Sequence, residues 1–366
     1  MSDVKFKEHL KNIGTYEPSK SIELVTSEYG LSAQDIIRFA SNENPHGVSV
    51  RVSEKIKSFL GQMHRYPDSS CDKLREALAK KHEVKSSNII IGSGSEQIIE
   101  FISRVLLEKN SRVLQNKITF PMYEICAKQE GAIIIKTNSV KHDLNEFKQL
   151  LFEHHPRLIY ICTPSNPAGD AIDAEEVYGF LKLVDSSCLV VIDAAYMEYA
   201  SFRDSKKRIE PKELLEKFSN VVYVGTFSKA YALGGMRVGY AIANEEIINI
   251  FSKVRSPFNI GILSLSAATL ALEDEEFVEF CIKDCFLQMK RYEDFAIKNK
   301  IEFIESFANF ITFVFEDKDS TKISEELLKK GVIVRDLKSQ GLNAIRITIG
   351  TAQQNDIFFE IFSEVI

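Results

Sequence analysis

A lysine at the end of an apolar run is the first candidate for chemistry. Lys229 closes Gly225-Thr226-Phe227-Ser228-Lys229, directly behind the β-rich run Val221–Val224 (VVYV) and two hydroxyl residues. An amine at the mouth of a sheet, partly desolvated, can form an imine with a carbonyl compound. Arg237 follows eight residues later, after Gly234-Gly235, and could return to the same anion. Asp193 follows a second apolar run, CLVVI at Cys188–Ile192. A carboxylate there can pair with a protonated ring nitrogen, or it can cap the next helix. Asn166, in Ser165-Asn166-Pro167, follows LIYIC at Leu158–Cys162. Its amide could meet a phenolic oxygen, or it could only form the turn. Gly92-Ser93-Gly94-Ser95-Glu96 joins the run Asn88–Ile91 to a helix. Glycines there let backbone N–H groups approach a phosphate, though many such turns are glycine-rich for geometry alone. Each feature stays open singly. Four of them in this order at strand ends are hard to explain as separate structural accidents.

The elements that must position these residues alternate along the chain. Short apolar runs at Asn88–Ile91, Ser111–Leu114, Ala132–Lys136, Leu158–Cys162, Cys188–Ile192, Val221–Val224 and Val238–Ala243 are separated by helical patterns, the first being Glu96–Leu107. The runs lack polar alternation, so both faces of the sheet are expected to be covered. Strands joined through helices imply right-handed crossovers and a mainly parallel sheet, with ligands at its carboxyl ends. After about Pro257 the pattern changes. A long helical region, Ile262–Lys300, precedes strands at Phe310–Phe315, Val332–Arg335 and Ala344–Ile349, with a helix at Ser324–Lys330. The expected fold is therefore α/β: a mostly parallel mixed sheet flanked by helices, plus a smaller α+β domain. Residues 41–260 form the large unit. Residues 1–40, one helix and an extended arm, join residues 261–366 in the small unit or pack on a neighbouring subunit.

Bulk properties exclude several classes. The chain has 366 residues, long enough for two such units. Its net charge is −6 and its Lys and Arg are dispersed, which leaves no basic footprint for nucleic acid. No run reaches the ~20 apolar residues of a membrane span, and the start, MSDVKFKEHLKNIG, has no apolar core of a signal peptide. The six cysteines are irregularly spaced. Cys281 and Cys285 are four apart in a helical pattern, without the second cluster that a zinc site needs. Reduced cysteines in a cytoplasmic protein, and no metal, are expected.

At this point the sequence resembles the fold-type I, pyridoxal-phosphate-dependent aminotransferases of class I/II, and within them the histidinol-phosphate aminotransferase family. The resemblance runs from about Tyr16 to Gly350. It rests on SNENP (Ser41–Pro45), RYPD (Arg65–Asp68), GSGSEQ (Gly92–Gln97), FPMY (Phe120–Tyr123), PSNPAG (Pro164–Gly169), DAAY (Asp193–Tyr196), TFSKAYALGGMRVGY (Thr226–Tyr240) and AIRITIG (Ala344–Gly350). It implies that Lys229 carries pyridoxal phosphate as a Schiff base and moves the proton during turnover, and that Asp193 keeps the ring nitrogen protonated. Asn166 and Tyr196 would bond the ring oxygen, and Tyr123 would stack on the ring face. Gly94, Ser95 and Glu96, with Thr226, Ser228 and Arg237, would surround the cofactor phosphate. Tyr66 would reach the cofactor of the other subunit, making a homodimer with a shared active site. Arg346 would hold the α-carboxylate of glutamate or 2-oxoglutarate in a bidentate fork. Arg335 and Tyr16 would contact the phosphate of a small phosphorylated substrate, with Asn42 and His46 beside them. The implied reaction is a ping-pong transamination.

Two departures from the family pattern fall on the substrate side. Ser19 stands where a glycine is usual, and His46 where an apolar or aromatic residue is usual. Either these positions tolerate drift, or the substrate is another phosphorylated compound, for example dihydroxyacetone phosphate. A phospho-amino-acid decarboxylase on the same fold is a third reading. A transcriptional regulator built on this fold would need a DNA-binding segment and a basic face, and neither is evident.

Overall fold

The computed structural model describes residues 4–15 and 18–366. A two-residue strand, β1 (Ile37–Arg38), opens the chain's sheet structure. Seven strands then build the main sheet: β2 (Ile89–Gly92), β3 (Arg112–Gln115), β4 (Ile133–Lys136), β5 (Leu158–Cys162), β6 (Leu189–Asp193), β7 (Val221–Thr226) and β8 (Gly239–Ala243). Their spatial order is β2-β8-β7-β6-β5-β3-β4. The β7-β6-β5-β3-β4 ladders are parallel, whereas β8 runs antiparallel to both of its neighbours. The strand positions expected from the apolar runs therefore hold to within a residue or two.

Both faces of the central strands are dry, as the unbroken apolar runs require, whereas the edge strand β4 is partly exposed. Side chains alternate across it. Ile159, Ile161, Val190 and Ile192 join one buried cluster, and Leu158, Tyr160, Cys162 and Val191 join the other. By the same alternation Asp193 shares a face with Val191 and, in register, with Cys162. That parity matters for the site.

The C-terminal part holds β9 (Glu302–Ile304), β10 (Phe310–Val314), β11 (Val332–Ile333), β12 (Arg335–Asp336) and β13 (Ala344–Thr348). A four-stranded antiparallel sheet has the order β12-β13-β10-β9. Several expectations change here, the helix expected at Ser324–Lys330 among them, since it runs Ser320–Lys329. The single strand expected at Val332–Arg335 is split. β11 pairs in parallel with β1, while β12 pairs with β13, so the chain changes sheets at Val334. The long helical region is two helices, Ile262–Ala271 and Glu275–Asn299. Glu302–Ile304, an edge strand, gave no pattern of its own. The arm is also shared out. Val25, Ile36 and Ala40 pack with Ile333, but the turn Glu8–Asn12 lies against the helix Pro121–Gln129, where His9 Nε2 meets the Gln129 carbonyl at 2.9 Å. The helix Ile262–Ala271 packs on Val50–Lys57 and Asp72–His82 of the N-terminal half. No helix among the described residues is long and apolar enough to cross a membrane.

Candidate active site

The carboxyl ends of β5, β6 and β7 deliver Cys162, Asp193 and Thr226 to one cleft of about 220 Å³. The small sheet closes its other side with Arg335 and Arg346. These two arginines sit directly opposite each other across the β12–β13 ladder. Antiparallel pairing places such partners on one face, while Ile345 and Ile347 turn into the core.

Lys229 lies in the wall of the cleft, and its Nζ donates to the Ser41 carbonyl at 3.0 Å. Burial, and next the positive charge of Arg346, pull its pKa down from 10.5 to about 8. The neutral amine that a nucleophile or base requires is thus far more accessible near neutral pH than in an exposed lysine. Asp193, 3 % exposed, accepts from the Ala195 N–H at 3.0 Å and from the Tyr123 hydroxyl at 2.5 Å. Burial raises its pKa, against the lowering effect of Tyr123, Ala195 and Lys229. A buried carboxylate of this kind is well matched to a cationic N–H.

An anion cup forms where β2 passes into the helix Gly94–Leu106. Gly94 has φ +73°, and a Cβ there would come within 2.5 Å of the Arg237 guanidinium. Ser95 and Glu96 open the helix. Thr226 Oγ1 and Ser228 Oγ are 3.0 Å apart, and Arg237 reaches Ser228 at 3.4 Å and Glu96 at 3.1 Å. Helix-terminal N–H groups, two hydroxyls and a guanidinium make a phosphate site; Glu96 shares the arginine's charge.

On the opposite wall, Tyr196 OH accepts from Asn42 Nδ2 at 2.8 Å, so its own proton is available to another acceptor. Asn42 adopts φ 54° and is held by Thr348 and Asn309. Arg346 donates to Asn166 Oδ1 and to the Ala40 carbonyl, both at 2.5 Å. The amide group that Asn166 keeps for a ligand is therefore its NH₂ donor.

Most of the residues expected from the motifs thus meet in one cleft: Asn42, Ser95, Glu96, Asn166, Asp193, Tyr196, Thr226, Ser228, Lys229, Arg237, Arg335 and Arg346. Gly94 stands directly behind it. Three lie outside it in this chain. Tyr123 is fully buried behind Asp193, its ring stacked on Tyr160 at 4.2 Å and 6°. It cannot cover a ligand's ring. Phe120, which caps the same helix three residues earlier, lines the cleft instead. His46 also turns away. Its Nε2 lies 3.0 Å from Asp284 and its ring 4.9 Å from Phe280, both on the helix Glu275–Asn299. A polar histidine beside Asn44-Pro45 found a carboxylate on a neighbouring helix, which spacing cannot reveal. Tyr66 is 82 % exposed, stacked on Phe258 at 4.7 Å, and outside the cleft of its own chain. Tyr16 lies outside the described residues. Sequence reading missed Phe120, Ser41 and Gln340 as cleft residues; Phe120 and Ser41, each opening a quoted motif, carried a usable signal, and Gln340 did not. The six cysteines are free and buried, and the described residues hold no metal-binding cluster.

This lysine, carboxylate and phosphate cup on a mixed seven-stranded sheet define a pyridoxal-phosphate site. The residues fit that cofactor: an amine for an aldehyde, a buried carboxylate for a pyridinium N–H, and donors for a phosphate all face one volume. Residues 34–362 match the family model for aminotransferase class I and II, and the chain belongs to that family. It is similar to the histidinol-phosphate aminotransferase of Sulfurimonas denitrificans, 53 % identical over 359 residues, covering 98 % of this chain and 99 % of the relative. The histidinol-phosphate aminotransferase of Campylobacter concisus is 54 % identical over 365 residues, covering 99 % of this chain and 100 % of the relative. The fold matches that of histidinol-phosphate aminotransferase from Sinorhizobium meliloti in complex with pyridoxal-5'-phosphate, with TM-score 0.91 and 24 % identity over 100 % of this chain and 98 % of that one.

Proposed function

We propose that the protein transfers an amino group between histidinol phosphate and 2-oxoglutarate, giving imidazole acetol phosphate and glutamate, with pyridoxal phosphate as cofactor. The observation that carries this reading is the facing pair Arg335 and Arg346 across the cleft from Lys229. Two fixed cations suit one carboxylated and one phosphorylated substrate used in turn.

When bound, the cofactor supplies an aldehyde that takes up the amino group and a ring that draws electrons from the substrate carbon. Lys229 carries the proton to and from that carbon, and its lowered pKa fits it to do so near neutrality. Asp193 would hold the proton on the ring nitrogen. Asn166 and Tyr196 would donate to the phenolic oxygen, and Phe120 would lie beside the ring. Ser95, Thr226, Ser228 and Arg237 would hold the cofactor phosphate. Arg346 takes the carboxylate of glutamate, and Arg335 takes the substrate phosphate.

The working unit in this reading is a homodimer in the cytoplasm. The exposed Tyr66–Phe258 stack supports a neighbouring subunit there, and the six free cysteines suit a reducing compartment. Residues 41–260 would form the cofactor unit, and residues 1–40 with 261–366 the unit bearing the two arginines.

A substrate panel tests the reading. Histidinol phosphate with 2-oxoglutarate should yield glutamate far faster than other phosphorylated amines. Faster amination of dihydroxyacetone phosphate, or CO2 release from a phospho-amino acid, would overturn the substrate.

A further inference from the structure

Tyr123 has no direct path to a ligand, yet its hydroxyl ends on the one carboxylate at the base of the cleft. It donates to Asp193 Oδ2 at 2.5 Å, while Oδ1 accepts from the Ala195 N–H at 3.0 Å. The Tyr123 ring is fully buried and stacked in parallel on Tyr160. That stack leaves the hydroxyl little freedom to turn elsewhere. Sheet parity explains the contact. Asp193 points to the face that buries Tyr160 and Val191, and Tyr123 belongs to that cluster. A carboxylate only 3 % exposed must be hydrogen-bonded to stay ionised.

We propose that Tyr123 is a positioning residue, whose hydroxyl keeps Asp193 ionised and fixed in orientation to hold the proton on the ring nitrogen of bound pyridoxal phosphate. The proposal rests on the cofactor assignment. The titratable groups facing Asp193 are Tyr123, Tyr160, Cys162, Tyr196 and Lys229. Burial pushes the phenols and the thiol upward, so they stay neutral over the working range. Lys229 is the one cation among them, and it would no longer be a free ammonium with the cofactor held. The Tyr123 hydroxyl then becomes the main side-chain partner stabilising the Asp193 charge, apart from the ring N–H itself.

The test compares Tyr123→Phe with Tyr160→Phe, which removes a hydroxyl from the same ring stack without touching Asp193. Affinity of the apoprotein for pyridoxal phosphate is measured by titration. Protonation of the ring nitrogen is followed by NMR of bound, ¹⁵N-labelled cofactor across pH. Tyr123→Phe should weaken binding on the order of tenfold, the worth of one hydrogen bond to a charged group. It should also lower the fraction of ring nitrogen that carries the proton, because Asp193, made more basic, takes the proton instead. Tyr160→Phe should change neither, and in an Asp193→Asn background Tyr123→Phe should add nothing. Unchanged ring titration in Tyr123→Phe, or equal effects of the two substitutions, would overturn the proposal. Failure of the wild-type protein to take up pyridoxal phosphate would overturn the cofactor assignment instead, and this proposal with it.

Discussion

Gly239→Ala tests how the phosphate cup is built. Gly239 opens β8 and pairs with Gly92 of β2 on one side and Thr226 of β7 on the other. Its backbone cannot yield without breaking two ladders. A Cβ there would lie 2.3 Å from the Ser95 amide nitrogen, 2.4 Å from the Gly94 carbonyl carbon and 2.9 Å from its oxygen. All three are backbone atoms, so no side chain can swing aside. The helix terminus would have to recede by about 1 Å to reach ordinary contact distance. Overpacking of this kind costs about 1–3 kcal/mol, against a gain of about 0.4–1 kcal/mol from replacing a glycine in the unfolded chain. The displaced Ser95 N–H would also lose its aim at a phosphate, worth about 1.5 kcal/mol or more for a charge-assisted bond. Apoprotein titrated with pyridoxal phosphate should therefore show a Kd raised on the order of tenfold, with a lower Tm. Gly235→Ala is the control from the same loop, since its Cβ meets nothing within 4 Å. Wild-type affinity and Tm in Gly239→Ala would refute the argument that this glycine sets the cup.

Three further outcomes follow from the geometry. The folded-state pKa of Lys229 lies near 8, below the 10.5 of an exposed lysine. Between these values the unfolded chain binds the extra proton, so apoprotein stability should rise with pH from about 8 to 10.5, by up to roughly 3 kcal/mol. Urea unfolding of apo Lys229→Met should lack that rise; an equal rise in both proteins would contradict the buried-amine assignment. Arg346→Lys keeps the charge but loses the planar fork that grips Asn166 and the Ala40 carbonyl. Steady-state kinetics should show KM for glutamate increased on the order of a hundredfold. His46→Gln removes a contact with Asp284, not with the cleft. Its KM values should match wild type while Tm falls slightly, and a large KM change would return His46 to the substrate site.

Lys229, Asp193, Asn166 and the Gly94 turn were legible in the sequence because each follows an apolar run. A strand's carboxyl end is a local property, and in a parallel sheet all such ends open on one side. Arg335 and Arg346 were legible through their motifs, but their opposition across β12 and β13 depends on a register that only pairing sets. What the sequence could not decide is which way a side chain faces once two elements pack. Phe120 and Tyr123 stand three apart in FPMY, near enough on a helix to look interchangeable. The packing of Pro121–Gln129 against the sheet turned one to the cleft and the other under Asp193. His46 was assigned by its neighbours in the chain and went to a helix more than two hundred residues away. Local order along the chain determined the chemistry available here. Tertiary contact decided its geometry, because hydrogen bonds and burial act between residues that are close in space, whatever their separation in sequence.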